Sequence, residues 1–389
     1  MTEKEVKILL AKYNRGLASP QEKYLLERWY HQAFQNQELN TENAELEKLD
    51  LSNLKDEIWQ GTLQKSGMTK WRTGVSYRRM LAFAAVMLTL LSIGVYLYRI
   101  ADAPTATYTV SELTDPNLDI KPGRNQATLT LADGRVIDLR DDKKGIVINA
   151  SSLTYNDGTE IVKSGDEPGL INTIATPKGG QYHVVLPDGS QVWLNAESTL
   201  KYPSRFDAKE RIVELVGEAY FEVEKVELTD KRIAKPFIVK SPTQDVEVLG
   251  THFNVNAYAD DPVTTTTLLE GAVNVHTAGQ PARLTPGKQS RVRLGKPTEI
   301  QSADIDKAVG WKNGEFVFYN ERIEKVMKDI ARWYDVEIIY QDAVKDKMMW
   351  GSVSKFENIS KVLKMIELTG VVHFDVQIQE DERRVYVMD

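Results

Sequence analysis

The spacing of apolar residues changes character three times along the chain. Over residues 1–66 it is helical. Thr2 and Glu5 form a capping box ahead of Val6, Leu9, Leu10, Tyr13 and Leu17, and Gly16 ends that run. Ser19, Pro20 and Glu22 open a second helix whose apolar face is Leu25, Leu26, Trp29 and Ala33. Leu46, Leu49, Leu54, Ile58, Trp59 and Leu63 supply one or two more. The nineteen residues Met80 to Tyr98 then carry no charge at all.

From residue 127 the period becomes two. ATLTLADGRVIDL (127–139) and YHVVLPDGSQVWLNAES (182–198) each read as a strand, an Asp-Gly turn and a strand, a weak internal repeat of one hairpin unit. Further strands are expected at 211–226, 237–242, 246–258, 264–276 and 281–294. In GEAYFEVE the alternation sets Ala219, Phe221 and Val223 on one face. Glu218, Tyr220, Glu222 and Glu224 fall on the other, so the glutamates read as a solvated sheet face. From Trp311 the pattern mixes. FVFYN reads as a strand, ERIEKVMKDIARWY as a helix with Ile323, Val326, Ile330 and Trp333 on one face, and VEIIY as a strand. A strand near MMWGSV, a helix SKVLKMIELTG ending at Gly370, and strands VVHFDV and RRVYVM follow. The order is β-α-β, β-α-β, a small α+β domain.

Nineteen residues of helix cover roughly 28 Å, close to the hydrocarbon core of a bilayer, and a buried core helix would ordinarily show a polar stripe. Met80–Tyr98 therefore reads as a membrane span. Lys65, Lys70, Arg72, Arg78 and Arg79 precede it, whereas Arg99 follows with Asp102 close by. The positive-inside rule puts the N-terminus in the cytoplasm and the larger C-terminal part outside. The expected fold class is thus multidomain. It comprises a small all-α cytoplasmic domain (1–79), one transmembrane helix (80–98), an all-β periplasmic domain (99–308, core 174–295) and a small α+β C-terminal domain (309–389).

Composition narrows the function classes. The formal net charge of −7 argues against nucleic acid as a direct partner. The absence of cysteine removes structural disulfides, zinc–cysteine sites, iron–sulfur clusters and thiol nucleophiles. The five histidines (His31, His183, His252, His276 and His373) have no metal-ligand spacing, and no hydrolase or nucleotide-binding motif is present. No cofactor, metal or catalytic residue is expected.

ATPKGGQYHVVLPDGSQVWLNAESTLKYP, followed by LVGEAYFEV, PFIV, VLGTHFNVNAY, LLEGAVNV and LTPGKQ, resembles the FecR family of transmembrane anti-sigma regulators. The segment WKNGEFVFYNERIEKVMKDIARWYDVEIIY resembles a C-terminal module that accompanies many FecR-like proteins in relatives of the Bacteroides lineage. RGLASPQE resembles their cytoplasmic helical domain more loosely. The resemblance implies that the cytoplasmic helices hold an extracytoplasmic-function sigma factor, with Leu9, Tyr13, Leu25, Leu26 and Trp29 as candidate contacts. It also implies that the periplasmic part receives a signal from the signalling domain of an outer-membrane TonB-dependent transducer, which controls transcription of an uptake operon. No residue is assigned to the transducer contact, although the C-terminal domain is the favoured surface because small β-α-β units can pair edge strands with a partner.

Gly250-Thr251 matches a Gly-Thr step where some family members cleave themselves, the Thr hydroxyl attacking the preceding carbonyl. An ordinary glycine at a strand start or bulge is the other reading. Ser92 and Gly94 could loosen the span for an intramembrane protease, with periplasmic proteases acting alongside. The alternative function is a membrane-tethered polysaccharide-binding or adhesion module, with Trp193 or Trp350 as a stacking platform, although both lie in apolar patterns expected in a core.

Overall fold

A computed structural model describes residues 106–109, 119–149, 152–163, 170–228, 233–379 and 382–389. Pro104–Asp389 form one compact unit. The expected cytoplasmic helices and the run Met80–Tyr98 lie outside the described residues.

Most of the unit is a β body of two sheets that share one long strand. Arg211–Glu222 pairs through residues 211–216 with Ser198–Pro203 and, in parallel, with Phe237–Lys240. Through residues 217–222 it pairs with Gln191–Leu194 and His252–Ala257. The change of sheet falls at Gly217, whose φ is 97° and whose Cα lies where any Cβ would strike Ser198. Only glycine fits this left-handed, crowded position. On the first sheet the order continues outward through Ile171–Thr176, Ala127–Thr130 and Val136–Leu139 on one side, and through Asp245–Val248, Val273–His276 and Ala282–Leu284 on the other. The pairing closes around the body, and the inward positions of both sheets form one apolar core that includes Leu129, Val184, Val213, Phe221, Phe237 and Phe253.

Three of the expected single runs are broken in two. The run 246–258 forms Asp245–Val248 and His252–Ala257, 264–276 forms Thr264–Glu270 and Val273–His276, and 281–294 forms Ala282–Leu284 and Lys288–Val292. Each break lets one stretch of alternating sequence serve both sheets, as where Asp245–Val248 joins the first and His252–Ala257 the second.

The hairpin repeat has three copies rather than two. In LADG the Leu131 N–H donates to Arg135 O, the Gly134 N–H to Leu131 O, and the Arg135 N–H to the Asp133 carboxylate. LPDG repeats all three bonds at Leu186, Gly189 and Ser190, and YNDG repeats them at Tyr155, Gly158 and Thr159. The aspartate holds the turn and the glycine supplies positive φ.

The C-terminal module has a four-stranded sheet in the order Ala106–Thr109, His373–Gln379, Glu382–Met388, Glu337–Tyr340. Neighbours are antiparallel except for the parallel last pair. Glu315–Arg322 and Met348–Ser354 form a separate two-stranded sheet. The two expected β-α-β units thus interleave, because Glu315–Arg322 pairs with Met348–Ser354 and not with Glu337–Tyr340. Three helices accompany them: α1 (Ile305–Asn313), α2 (Ile323–Tyr334) and α3 (Ile359–Glu367). The predicted α2 face is buried entire, with Met327, Arg332 and Tyr334 added. Helix α3 ends at Glu367, three residues short of Gly370, which takes the left-handed conformation beyond the last turn.

Helix α1 has no counterpart in the sequence reading and straddles the expected join at 308/309. Its sequence IDKAVGWKN buries only Val309, Gly310 and Trp311, too few apolar positions to show a helical period. Its caps are nonetheless legible: Asp304 accepts from the Lys307 N–H and Gly314 closes the other end at φ 88°.

Candidate functional site: the seam between body and module

Helix α1 lies on the outer face of the second sheet, where Val309 and Trp311 pack on Tyr220 with Trp193, Leu269 and Ile305 at the margin. This corrects the reading of GEAYFEVE. Glu218 and Tyr220 were expected on a solvated face, but Glu218 is 7% exposed and Tyr220 is buried, whereas Glu222 is half-buried and Glu224 exposed. Alternation reports which side of a strand a residue takes, and not what another element later lays over that side.

The buried Glu218 carboxylate accepts from Asn195 at 2.8 Å and from Asn254 at 3.0 Å. Asn254 in turn accepts from the Trp311 indole at 3.2 Å. Burial pushes the Glu218 carboxyl above the usual range, and Lys325 and the two amides offset that only in part. Strand, loop and helix are thus joined by a chain of satisfied polar groups, with Lys312 Nζ 4.5 Å and 4.6 Å from the Trp193 and Tyr220 ring centres.

Helix α2 makes the second half of the seam. Trp333 is buried against Gly123 and Gly179: a Cβ on Gly123 would stand 2.7 Å from the indole and 2.5 Å from Gly179 O. The Gly179 N–H donates to Arg332 O at 2.7 Å. The Arg332 guanidinium lies 3.7 Å from the Tyr258 ring centre and reaches Asp260 at 2.5 Å. Lys325 and Lys328 meet Asp261 at 3.2 Å and 3.0 Å. Burial works against charge on Asp260 and Asp261, but the facing cations outweigh it and hold both carboxyls below the ordinary value.

Lys355 closes the seam from the module side. It is 1% exposed, with Nζ 3.6 Å from the Trp333 ring centre, 3.1 Å from Gln181 Oε1 and 3.2 Å from Trp311 O. Burial pushes its amine down to about 7, and the charges of Glu218 and Asp329 offset only part of that.

Two family models match the chain: the FecR protein model over residues 172–274 and the FecR C-terminal model over residues 315–387. A crystal structure of a candidate anti-sigma factor from Parabacteroides distasonis is 30% identical, covering 56% of this chain and 98% of that chain with a TM-score of 0.50. The chain belongs to the FecR family of anti-sigma factors. A second crystal structure of the same description matches at 31% identity, 56% and 99% coverage and a TM-score of 0.50. None of the curated proteins matches.

Within this FecR-family chain the sequence-derived candidates are scattered. Leu9, Tyr13, Leu25, Leu26 and Trp29 lie outside the described residues. Gly250 and Thr251 sit where the body turns between Asp245–Val248 and His252–Ala257. Thr251 is buried, and its hydroxyl donates to Ala272 O at 3.1 Å. Lys225 crowds Gly250, and Gly271 approaches so closely that a Cβ there would lie 2.9 Å from Gly250 O. Trp193 is half-buried and stacks on His183 at 4.4 Å. Trp350, expected in a core, is 43% exposed beside Tyr319 on the two-stranded sheet. Sequence reasoning read Glu218 as a solvated residue and did not single out Lys355. Their only signal is the pair Trp311 and Trp333, aromatic anchors that need a partner surface.

Proposed function

We propose that this FecR-family chain is a single-pass inner-membrane anti-sigma regulator. Residues 1–79 hold an extracytoplasmic-function sigma factor in the cytoplasm, Met80–Tyr98 cross the membrane, and the β body with its module receives the signal of a TonB-dependent transducer in the periplasm. The observation that supports this most is the joint match to both FecR models and to the Parabacteroides structure, on a chain that carries an apolar run ahead of the matched region. Among the described residues no helix is long and apolar enough to cross a membrane, and Met80–Tyr98 lie outside them. The family is a regulatory one.

The test is recovery from host lysate on residues 1–79, read by mass spectrometry. One sigma factor is expected, at least tenfold above a bait carrying Leu9→Asp and Trp29→Asp. Recovery of no sigma factor on a bait shown to be helical would sink the reading.

Cleavage at Gly250-Thr251 belongs to the same proposal. Attack needs the Thr251 hydroxyl to leave Ala272 O and reach the Gly250 carbonyl; the Gly250 acyl group then passes from the Thr251 nitrogen to its oxygen, and water hydrolyses the resulting ester to a free carboxylate and a new amino terminus. Wild-type protein from host membranes should then run as two fragments that stay associated, since Val223 and Thr251 exchange backbone hydrogen bonds at 3.0 Å and 3.3 Å. Thr251→Ala should run as one full-length band. A single band for the wild type would remove cleavage from the mechanism.

A further inference from the structure

The strand nearest the apolar run does not join the β body that follows it in sequence. Ala106–Thr109 pairs antiparallel with His373–Gln379, Thr107 opposite Gln377 and Thr109 opposite Asp375, and becomes the outermost strand of the module's sheet. A second contact follows a few residues later. The Asp119 carboxylate accepts from the Ser360 N–H at 3.2 Å and from its hydroxyl at 2.5 Å, and the Ile359 N–H donates to Ile120 O at 2.9 Å. Helix α3 has no side-chain cap of its own from Asn358, so a residue 241 positions away supplies it. Ile120 is buried in the module's core. The end of the chain is therefore folded around the first stretches that follow the apolar run, before the chain enters the body at Arg124–Asn125.

These two attachments differ in kind. Asp119–Ile120 is anchored by a helix cap and a buried side chain. Ala106–Thr109 is held at four ladder positions on one side only, whereas His373–Gln379 pairs at seven positions with Glu382–Met388 on its other side. Loss of the outer strand leaves a three-stranded sheet with helices α2 and α3 in place. Such an edge element, held by a few ladder positions on one side, sits at the low end of local stability. Its loss uncovers a sheet edge, and a sheet edge accepts any extended chain through main-chain hydrogen bonds. Between Tyr98 and Ala106 stand seven residues, a tether that reaches at most ~25 Å when extended.

Resting on the single-pass reading above, we propose that Ala106–Thr109 is a releasable latch. Paired on His373–Gln379, it clamps the chain beside the membrane to the C-terminal module. An extended segment of the periplasmic partner displaces it by taking the same edge, and the freed strand becomes accessible to proteolysis. Val376 and Phe374 are buried on the core side of that edge, while Asp375 and Gln377 alternate with them. The displacing segment therefore carries apolar residues at alternate positions.

The cysteine-free chain makes the test direct. Paired Cα atoms on antiparallel strands stand ~4.5–5.5 Å apart, within disulfide range. Full-length protein carrying Thr109→Cys and Asp375→Cys, in nanodiscs, should form an intramolecular disulfide in high yield, and failure to form it would overturn the pairing. In wild-type protein, the amides of 106–109 that donate to His373–Gln379 should exchange with deuterium at least tenfold faster than those of 382–388, and the oxidised pair should remove most of that difference. Equal protection in the wild type would overturn release. In host cells, replacing 106–109 by Gly-Ser-Gly-Ser should raise the same transcripts severalfold as deleting residues 1–79, with the replaced protein still present in the membrane by immunoblot. If the deletion raises transcripts and the replacement does not, the latch is wrong and the regulator reading stands. If the deletion moves no transcript, the regulator reading is wrong, and the exchange rates alone decide whether the strand releases.

Discussion

Arg211→Ala is expected to destabilise a protein of residues 104–389 by about 3–5 kcal/mol, because it leaves a buried carboxylate without its partner. Arg211 is 0% exposed. One of its guanidinium nitrogens donates to Asp188 at 2.6 Å and to Glu224 O at 2.8 Å, and the other donates to Lys235 O at 2.8 Å. The group also lies 5.2 Å from the Phe237 ring centre. Asp188 is the turn aspartate of its hairpin copy and also accepts from the Ser190 N–H and hydroxyl. The side chain thus pins a turn, the parallel strand pair and the loop before Phe237 at one point. The other two turn aspartates have cations as well, Arg135 for Asp133 and Lys143 for Asp157, but both of those aspartates are open to solvent. Asp133→Asn should therefore leave stability little changed, and Arg211→Met with Asp188→Asn should recover most of the loss. Urea unfolding measures all three. A loss below about 1 kcal/mol for Arg211→Ala would show that water reaches the site and that the pair is not structural.

The second large effect is on pH dependence. The Lys355 amine titrates near 7 in the folded chain, against an ordinary value of 10.5. Below 7 it is charged in both states and the folded state carries the whole desolvation cost. Above 10.5 it is neutral in both and the cost is gone. Between the two the unfolded chain binds more protons, so stability rises with pH across that window. One proton's difference between the two states makes the whole rise on the order of a few kcal/mol. Lys355→Met keeps the methylene packing on Trp333 and removes the charge, at the cost of leaving Gln181 Oε1 and Trp311 O without that donor. The variant should lose most of the slope between pH 7 and 10 and be at least as stable as wild type at pH 6. An unchanged slope would place the titration elsewhere. Because Lys355 touches both the body and the module, the same measurement reports how firmly the seam is closed near neutral pH.

How much of this was legible in the chain follows from what each signal measures. Period-two alternation marked the strands and the inward residues Ala219, Phe221 and Val223, all of them buried. Helical spacing marked Ile323, Val326, Ile330 and Trp333 of α2, all of them buried. Asp-Gly turns marked two hairpins, and a third, YNDG, carried the same signature unread. These are local properties, set by backbone geometry over a few residues, so the sequence determines them before any contact forms. Burial of Glu218, the exposure of Trp350, the interleaved pairing of the module's strands and the placing of Ala106–Thr109 on His373–Gln379 are decided by residues tens to hundreds of positions apart. No short window records which element covers a polar face or completes a distant sheet. Sequence alone settled the family blocks, the alternation and the apolar run. The tertiary structure alone decided that the last strands of the chain hold the first strand after that run, because a sheet edge is filled by whichever strand packing brings to it.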